Sequence, residues 1–197
     1  MSTVIDTRER ILSAAGNLIA TRSYADVGVA EICRAAEVKK GSFYHFFPSK
    51  RELTLAVLDN TFVSFKTQLL NEAFSQMHQP MQRLNLLVQM LYEYQAGIAM
   101  ETGFVPGCPF GNMAAEQATQ DEDLRHKVQE LMDRLSDQIQ ETLQQAVEQQ
   151  LIEVIDTKAT ADAMLAYAEG VLLLAKTRND AEVIMHLLPA MTAIRIN

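Results

Sequence analysis

The sequence predicts an all-α fold of about nine helices. Apolar residues recur at spacings of three and four along nearly the whole chain. Alternating β-branched runs are scarce. The prolines (Pro48, Pro80, Pro106, Pro109, Pro189) sit where one helical pattern stops and another begins. No low-complexity tract or internal repeat interrupts this.

The first helix is expected from Asp6, with Asp6 and Glu9 spaced as a capping box and Ile11, Leu12, Ala15, Leu18 and Ile19 on one face. Ser23-Tyr24-Ala25-Asp26 breaks the pattern. A short helix over about 29–36 follows, then a turn at Glu37-Val38-Lys39, then a second short helix over about 40–47. Pro48 ends it, and Ser49 with Glu52 marks the next N-terminus. That helix is expected to run to about Ser75. Further helices are expected over about 80–100, 112–118, 121–150, 157–177 and 180–194. The glycine- and proline-dense stretch 103–111 separates the helix over about 80–100 from the next.

Bulk properties narrow the classes. With 197 residues, 48% of them hydrophobic, the chain can bury one or two small cores. The net charge of −8 is unevenly spread: residues 1–60 hold eight basic and seven acidic side chains, the remainder nine and eighteen. A near-neutral front end with local basic clusters suits contact with phosphate better than the acidic remainder does. No apolar run approaches membrane-spanning length and no leader pattern is visible, so a reduced, cytoplasmic location without membrane partners is expected. Two cysteines, Cys33 and Cys108, form neither a disulfide framework nor a metal pattern. The four histidines have no metal spacing, and no Gly-x-Ser-x-Gly or phosphate loop occurs. The expectation is a non-enzyme without cofactor or metal.

Two short helices joined by a tight turn, after a longer amphipathic helix, form a helix-turn-helix arrangement. The second helix needs an apolar inner face to hold it and a small, polar, basic outer face to meet base edges and phosphates. Residues 39–47 divide in this way. Phe43, Phe46 and Phe47 fall on one side of the helical wheel; Gly41, Tyr44 and His45 fall towards the other. Lys39 and Lys40 sit at the helix start, where free N–H groups also favour phosphate. Lys50 and Arg51 open the next helix. Read in isolation, a run of three Phe and a Tyr is ordinary core and a Lys pair ordinary surface; the order of the elements raises the DNA-binding reading above that.

The strings Thr7-Arg8-Glu9-Arg10-Ile11-Leu12-Ser13-Ala14-Ala15, Val29 to Val38, and Lys40-Gly41-Ser42-Phe43-Tyr44-His45-Phe46-Phe47-Pro48-Ser49-Lys50-Arg51-Glu52-Leu53 resemble the N-terminal domain of the TetR family of transcriptional regulators. The resemblance covers about residues 6–60. It implies a DNA-binding domain over 1–60 and an effector-binding and dimerisation domain over 61–197. It also implies that Tyr44, His45 and Lys50 contact phosphates, that Lys40, Gly41 and Ser42 lie at base edges, and that Phe47 is core. Two positions depart from the family pattern: Gly28 stands where a Ser or Thr often caps the second helix, and Phe46 where many members carry Tyr or His.

The rest of the chain matches that family by architecture alone. Candidate effector-lining residues are Phe62, Phe65, Met90, Tyr94, Met100, Phe104, Cys108, Phe110 and Met113, an adaptable apolar set that is equally compatible with plain core. The last two helices carry Met164, Leu165, Tyr167, Ala168, Val171, Leu172, Leu174 and Ala175, then Val183, Ile184, Leu187, Leu188 and Met191, apolar enough to suggest a homodimer through both. Cys108, beside a helix start that would lower its thiol pKa, reads either as a sensor of electrophiles or oxidants or as packing in a hinge. The combined expectation is a repressor released from a palindromic double-stranded operator by a small-molecule effector. An enzyme and a helical protein-interaction module are the competing readings.

Overall fold

The computed structural model describes residues 6–197. Among these residues there are nine helical stretches and no strand. They are α1 (Thr7–Thr21), α2 (Val29–Ala35), α3 (Lys40–Phe46), α4 (Lys50–Phe65, continuing through a π-turn Lys66–Leu70 and a last turn Asn71–Ala73), α5 (Pro80–Thr102), α6 (Pro109–Gln117), α7 (Glu122–Glu148), α8 (Thr157–Arg178) and α9 (Glu182–Leu187, continuing as a 3₁₀ turn Leu188–Ala193). No described helix is long and apolar enough to cross a membrane.

The helices gather into two compact units. One holds the described chain through Val63 together with Asn112–Val128; the other holds Ser64–Gly111 and Gln129–Asn197. The division is thus not a single cut along the chain, and α4, α6 and α7 each run from one unit into the other.

The first unit closes around Ile11, Leu12 and Ala15 of α1, Ile32 and Cys33 of α2, Phe43 and Phe47, and Leu53 and Val57 of α4. These are the periodic positions of each pattern, brought together. The turn between α2 and α3 is a Schellman closure: Val38 N–H donates to Cys33 C=O and Glu37 N–H to Arg34 C=O. It requires a left-handed residue, and Glu37 takes that place at φ 54°. Ser49 Oγ accepts the Glu52 N–H at 3.1 Å and starts α4 as anticipated.

The second unit packs α5, α7 and α8 around Leu84, Ile139, Leu143, Ala161 and Met164. Pro80 occupies the first turn of α5, Gly103 ends it at φ 83°, and Asp156 caps α8 by accepting the Ala159 N–H at 2.9 Å.

Several sequence expectations are corrected. Asp6 precedes α1 without making a side-chain cap. The sixth helix starts at Pro109 rather than Asn112, because proline sits well at a first helical position and Cys108 Sγ accepts the Gly111 N–H at 3.4 Å. The last helix tightens to 3₁₀ from Leu188 because Pro189 supplies no N–H to continue the α ladder. The π-turn in α4 is not visible as a pattern of apolar spacing.

Candidate DNA-reading face and effector cavity

Helix α3 is anchored from within. Phe43 is fully buried, Phe47 nearly so, and Phe46 half-buried against the same core. Arg8 of α1 lies over the Phe47 ring at 5.3 Å. Phe46 therefore packs where many family members carry Tyr or His. Gly28 starts α2 with no side-chain cap.

The outer side of α3 faces solvent. Lys39, Lys40, Gly41, Tyr44 and His45 are exposed and Ser42 is half-buried. Tyr44 is 53% exposed, its ring edge-on to Phe43 at 5.2 Å. A Cβ built on Gly41 meets nothing within 4 Å. Internal packing therefore gives no reason for glycine there, although glycine in a helix costs up to about 1 kcal/mol relative to alanine.

Lys50 is the candidate whose surroundings the sequence did not reveal. Its ammonium donates to the Tyr24 carbonyl and stands 4.0 Å above the Tyr24 ring. Burial pushes its pKa down, and the Glu116 carboxylate opposes that shift. The ammonium carries three donors, so two remain after the Tyr24 bond. Glu116 itself accepts the backbone N–H groups of Tyr24 and Ala25. Nearby, Arg51 pairs with Asp123 and Lys127 with Asp59, each at 3.1 Å.

The second unit contains a small apolar cavity of about 50 Å³. Phe65, Leu70 and Phe74 line it from α4, Leu87, Leu91 and Gln95 from α5, Cys108, Pro109 and Phe110 from the start of α6, and Leu165, Ala168, Glu169 and Leu172 from α8, with Leu135, Ile139 and Met191 completing it. The π-turn explains part of this lining. Residues five apart diverge by about 140° on an α-helix, whereas the wider i→i+5 turn brings them closer to one face; Phe65 and Leu70 both line the cavity.

Three of the nine effector candidates, Phe65, Cys108 and Phe110, line the cavity. Tyr94 stacks edge-on against Phe65 at 5.8 Å, one step behind the wall. Met90 is half-buried outside the lining. Met100 and Phe104 are surface residues, 89% and 71% exposed, because the end of α5 and its Gly103 cap project them outward. Phe62 and Met113 are buried, but in the first unit. The polar members Gln95 and Glu169 were missed: a lone Gln or Glu among helical surface residues carries no periodic signal.

Those polar members set the chemistry. Gln95, fully buried, uses both ends of its amide on the backbone of one residue, accepting the Gly107 N–H at 3.0 Å and donating to the Gly107 C=O at 3.1 Å. Asn179 pins the same loop by accepting the Val105 N–H and donating to the Gly103 C=O. Glu169 lies against the first turn of α6, where a Cβ at Gly111 would collide with its carboxylate. Burial raises its pKa. The Cys108 thiol, which donates to Glu169, is pushed well above the usual thiol range, first by burial and then by the Glu169 charge; the Gly111 and Phe110 N–H groups pull weakly the other way. This corrects the expected lowering. Desolvation and a neighbouring carboxylate outweigh a helix N-terminus, and the resting thiol is protonated.

The C-terminal helices also differ from expectation. Met164, Ala168, Val171, Leu172, Ala175, Val183, Ile184, Leu188 and Met191 are already buried within one chain. The apolar face left open on α8 is the stripe Ala166, Gly170, Leu173, Leu174 and Thr177, with Met185 exposed on α9.

A three-helix reader with a solvent-facing α3, joined to a helical unit with an internal cavity, defines the class of helix-turn-helix regulators. Residues 11–57 match the family described as bacterial regulatory proteins, tetR family, and residues 80–191 match the tetracyclin repressor-like C-terminal domain. The chain belongs to the TetR family of transcriptional regulators. It is 32% identical over 183 residues to an uncharacterised HTH-type transcriptional regulator in the lacX 3' region of Lactococcus lactis, spanning 91% of this chain and 88% of that one. It is 30% identical over 125 residues to the HTH-type transcriptional repressor NemR of Escherichia coli K12, spanning 61% of this chain and 58% of that one. The crystal structure of the reduced form of E. coli NemR superposes with a TM-score of 0.81 at 24% identity, covering 96% and 97% of the two chains. A regulatory protein TetR from Rhodobacter sphaeroides superposes with a TM-score of 0.82 at 27% identity, covering 95% and 98%.

Proposed function

We propose that this chain is a ligand-responsive repressor that binds a palindromic double-stranded DNA operator as a homodimer and is released by a small-molecule effector. The observation that carries the DNA-binding part is the outer face of α3. Lys39, Lys40, Gly41, Tyr44 and His45 are exposed above a buried Phe43 and Phe47, and Gly41 has no packing reason to be glycine. Tyr44, His45, Lys39 and Lys50 take phosphates, and Lys40, Gly41 and Ser42 approach base edges in the major groove. Lys50 reaches its phosphate already oriented by Tyr24.

The homodimer forms through the open stripe on α8 and the exposed side of α9; small residues at Ala166 and Gly170 allow close helix approach. The effector enters the cavity around Cys108. At about 50 Å³ the cavity holds little more than a water or two, so a larger effector must open it. We take reaction of Cys108 with an electrophile or oxidant as the form of induction, with burial and Glu169 keeping the thiol protonated at rest. Likeness to a repressor crystallised in a reduced form supports that reading. Release follows as a population shift towards a state whose two readers no longer match the half-sites.

The decisive experiment is a gel shift on the protein's own upstream DNA across a salt series, with and without electrophiles. Sequence-specific binding that weakens steeply with salt is expected. Salt-insensitive association, or none, would replace this reading with a protein-interaction module. Full induction in Cys108→Ser would exclude Cys108 as the sensor while leaving the repressor in place.

A further inference from the structure

The side chains around the Cys108 cavity are apolar except for Gln95, Glu169 and Cys108 itself. Among the described residues that line it there is no Lys, Arg or His. Gln95 spends its carbonyl and one N–H on the Gly107 backbone. Glu169 is thus the charged member of the lining, and Gly111 gives it room. A Cβ on Gly111 would collide with Glu169 Oε2, so the glycine leaves the space that the carboxylate fills against the first turn of α6. Cys108 stands just before that turn; its Sγ accepts the Gly111 N–H at 3.4 Å and its thiol donates to Glu169. Lys176 touches the neighbouring Gly107 with its aliphatic stem, but it is exposed and lies outside the lining.

An electrophile must bring its reacting carbon against Sγ, which is itself hydrogen-bonded to Glu169. An anionic group on a compact reagent then lies within about 6 Å of the Glu169 carboxylate, between walls that offer no counter-charge. At an effective dielectric constant of about 20, two like charges at about 6 Å slow a reaction by about a hundredfold. Glu169 is half-buried, and solvent on its open side reduces this to about tenfold. An uncharged reagent of the same shape meets neither the repulsion nor the cost of burying an unpaired ion.

We propose that Glu169 is a specificity-determining residue, through which the cavity at Cys108 admits compact uncharged electrophiles and excludes those that carry a carboxylate or another anionic group. Its regulatory meaning rests on the reading of Cys108 as the point of induction; the selection by charge does not.

Iodoacetamide and iodoacetate test it, because they differ in charge and hardly in shape. With either reagent the thiol gives up its proton to the medium, an S–C bond forms, the C–I bond breaks and iodide leaves. Rates at Cys108 are read by peptide mass spectrometry, separately from Cys33, at about pH 8, above the ordinary carboxylate range. The ratio of the iodoacetamide rate to the iodoacetate rate is divided by the same ratio for the chain unfolded in concentrated urea. Both reagents attack the same thiolate, so any change in the thiol pKa cancels. The parent should give a normalised ratio of at least about fivefold. Glu169→Gln removes the charge and Gly111→Ala displaces the carboxylate, and each should lower the ratio at least about threefold. A smaller parent ratio, or one that both variants leave unchanged, overturns the assignment, as does a folded chain in which neither reagent reaches Cys108. If the iodoacetamide-labelled parent binds a duplex selected in vitro as tightly as before, the induction reading fails instead, and the rate ratios alone decide the role of Glu169.

Discussion

Gly41→Ala separates folding from DNA recognition, because the two should move in opposite directions. A Cβ at this position meets nothing within 4 Å, and the residue lies in the first turn of α3. The substitution therefore costs no clash in the free protein and reduces the entropy of the unfolded chain. A gain of about 0.4–1 kcal/mol is expected, which for a chain of this size raises Tm by about 1–4 °C. On DNA the same methyl stands between backbone and base edge. Losing one base contact per reader costs about 1–3 kcal/mol. Two readers on one operator then lose at least about 2 kcal/mol, or roughly 30-fold in Kd. Glycine makes no phosphate contact, so the dependence of log Kd on log salt should keep its slope. Fluorescence anisotropy on a selected duplex across a salt series, paired with thermal melts, measures all three quantities. If the Gly41→Ala variant binds its operator as tightly as the parent, the assigned close approach of α3 is wrong. If its Tm falls, the free-space argument is wrong.

Other perturbations probe the remaining parts. Lys50→Ala should weaken binding to every DNA sequence and reduce the salt slope by about 0.9 per reader; an unchanged slope would mean that Lys50 serves only to hold Tyr24. Gln95→Leu strands the buried Gly107 N–H and C=O together. It should cost about 2–4 kcal/mol, seen as a Tm lower by about 5–15 °C; a loss below about 1 kcal/mol would show that the loop finds other partners. Glu169 is a carboxyl with a raised folded-state pKa, so folding disfavours its charged form, and stability is lost as pH rises through its titration. Glu169→Gln should therefore gain Tm over the parent as pH rises above the ordinary carboxylate range, and its Cys108 should alkylate faster at fixed pH because the charge that raises the thiol pKa is gone. A parent that gains on the variant as pH rises, or slower alkylation of the variant, would contradict this account of the cavity.

Much of the first unit was readable because its signals are local. The spacing of Ile11, Leu12 and Ala15, the Ser49–Glu52 cap and the division of residues 39–47 into two faces all depend on neighbours a few positions away. The cavity was harder. Phe65 and Phe110 were found by their size and Cys108 by its flanking glycine and prolines. Met100 and Phe104 were misplaced because apolarity does not say which way a helix end projects. Gln95 and Glu169 were missed because their partners lie 12 and 61 residues away in sequence, at Gly107 and Cys108. Glu116 was missed for the same reason: its amide partners are 91 and 92 residues distant. Long-range polar contacts leave no periodic trace.

The two sides of α3 also answer to different demands. Phe43 and Phe47 are locked into the core, whereas Lys40 and Gly41 are exposed and a Cβ at Gly41 would meet nothing. Mutations on the outer side can accumulate without eroding the scaffold, and mutations on the inner side cannot be compensated from outside. Such a helix can drift from one target site to another in single steps, each intermediate remaining folded. The address that the protein reads is thus far easier to rewrite than the machinery that reads it.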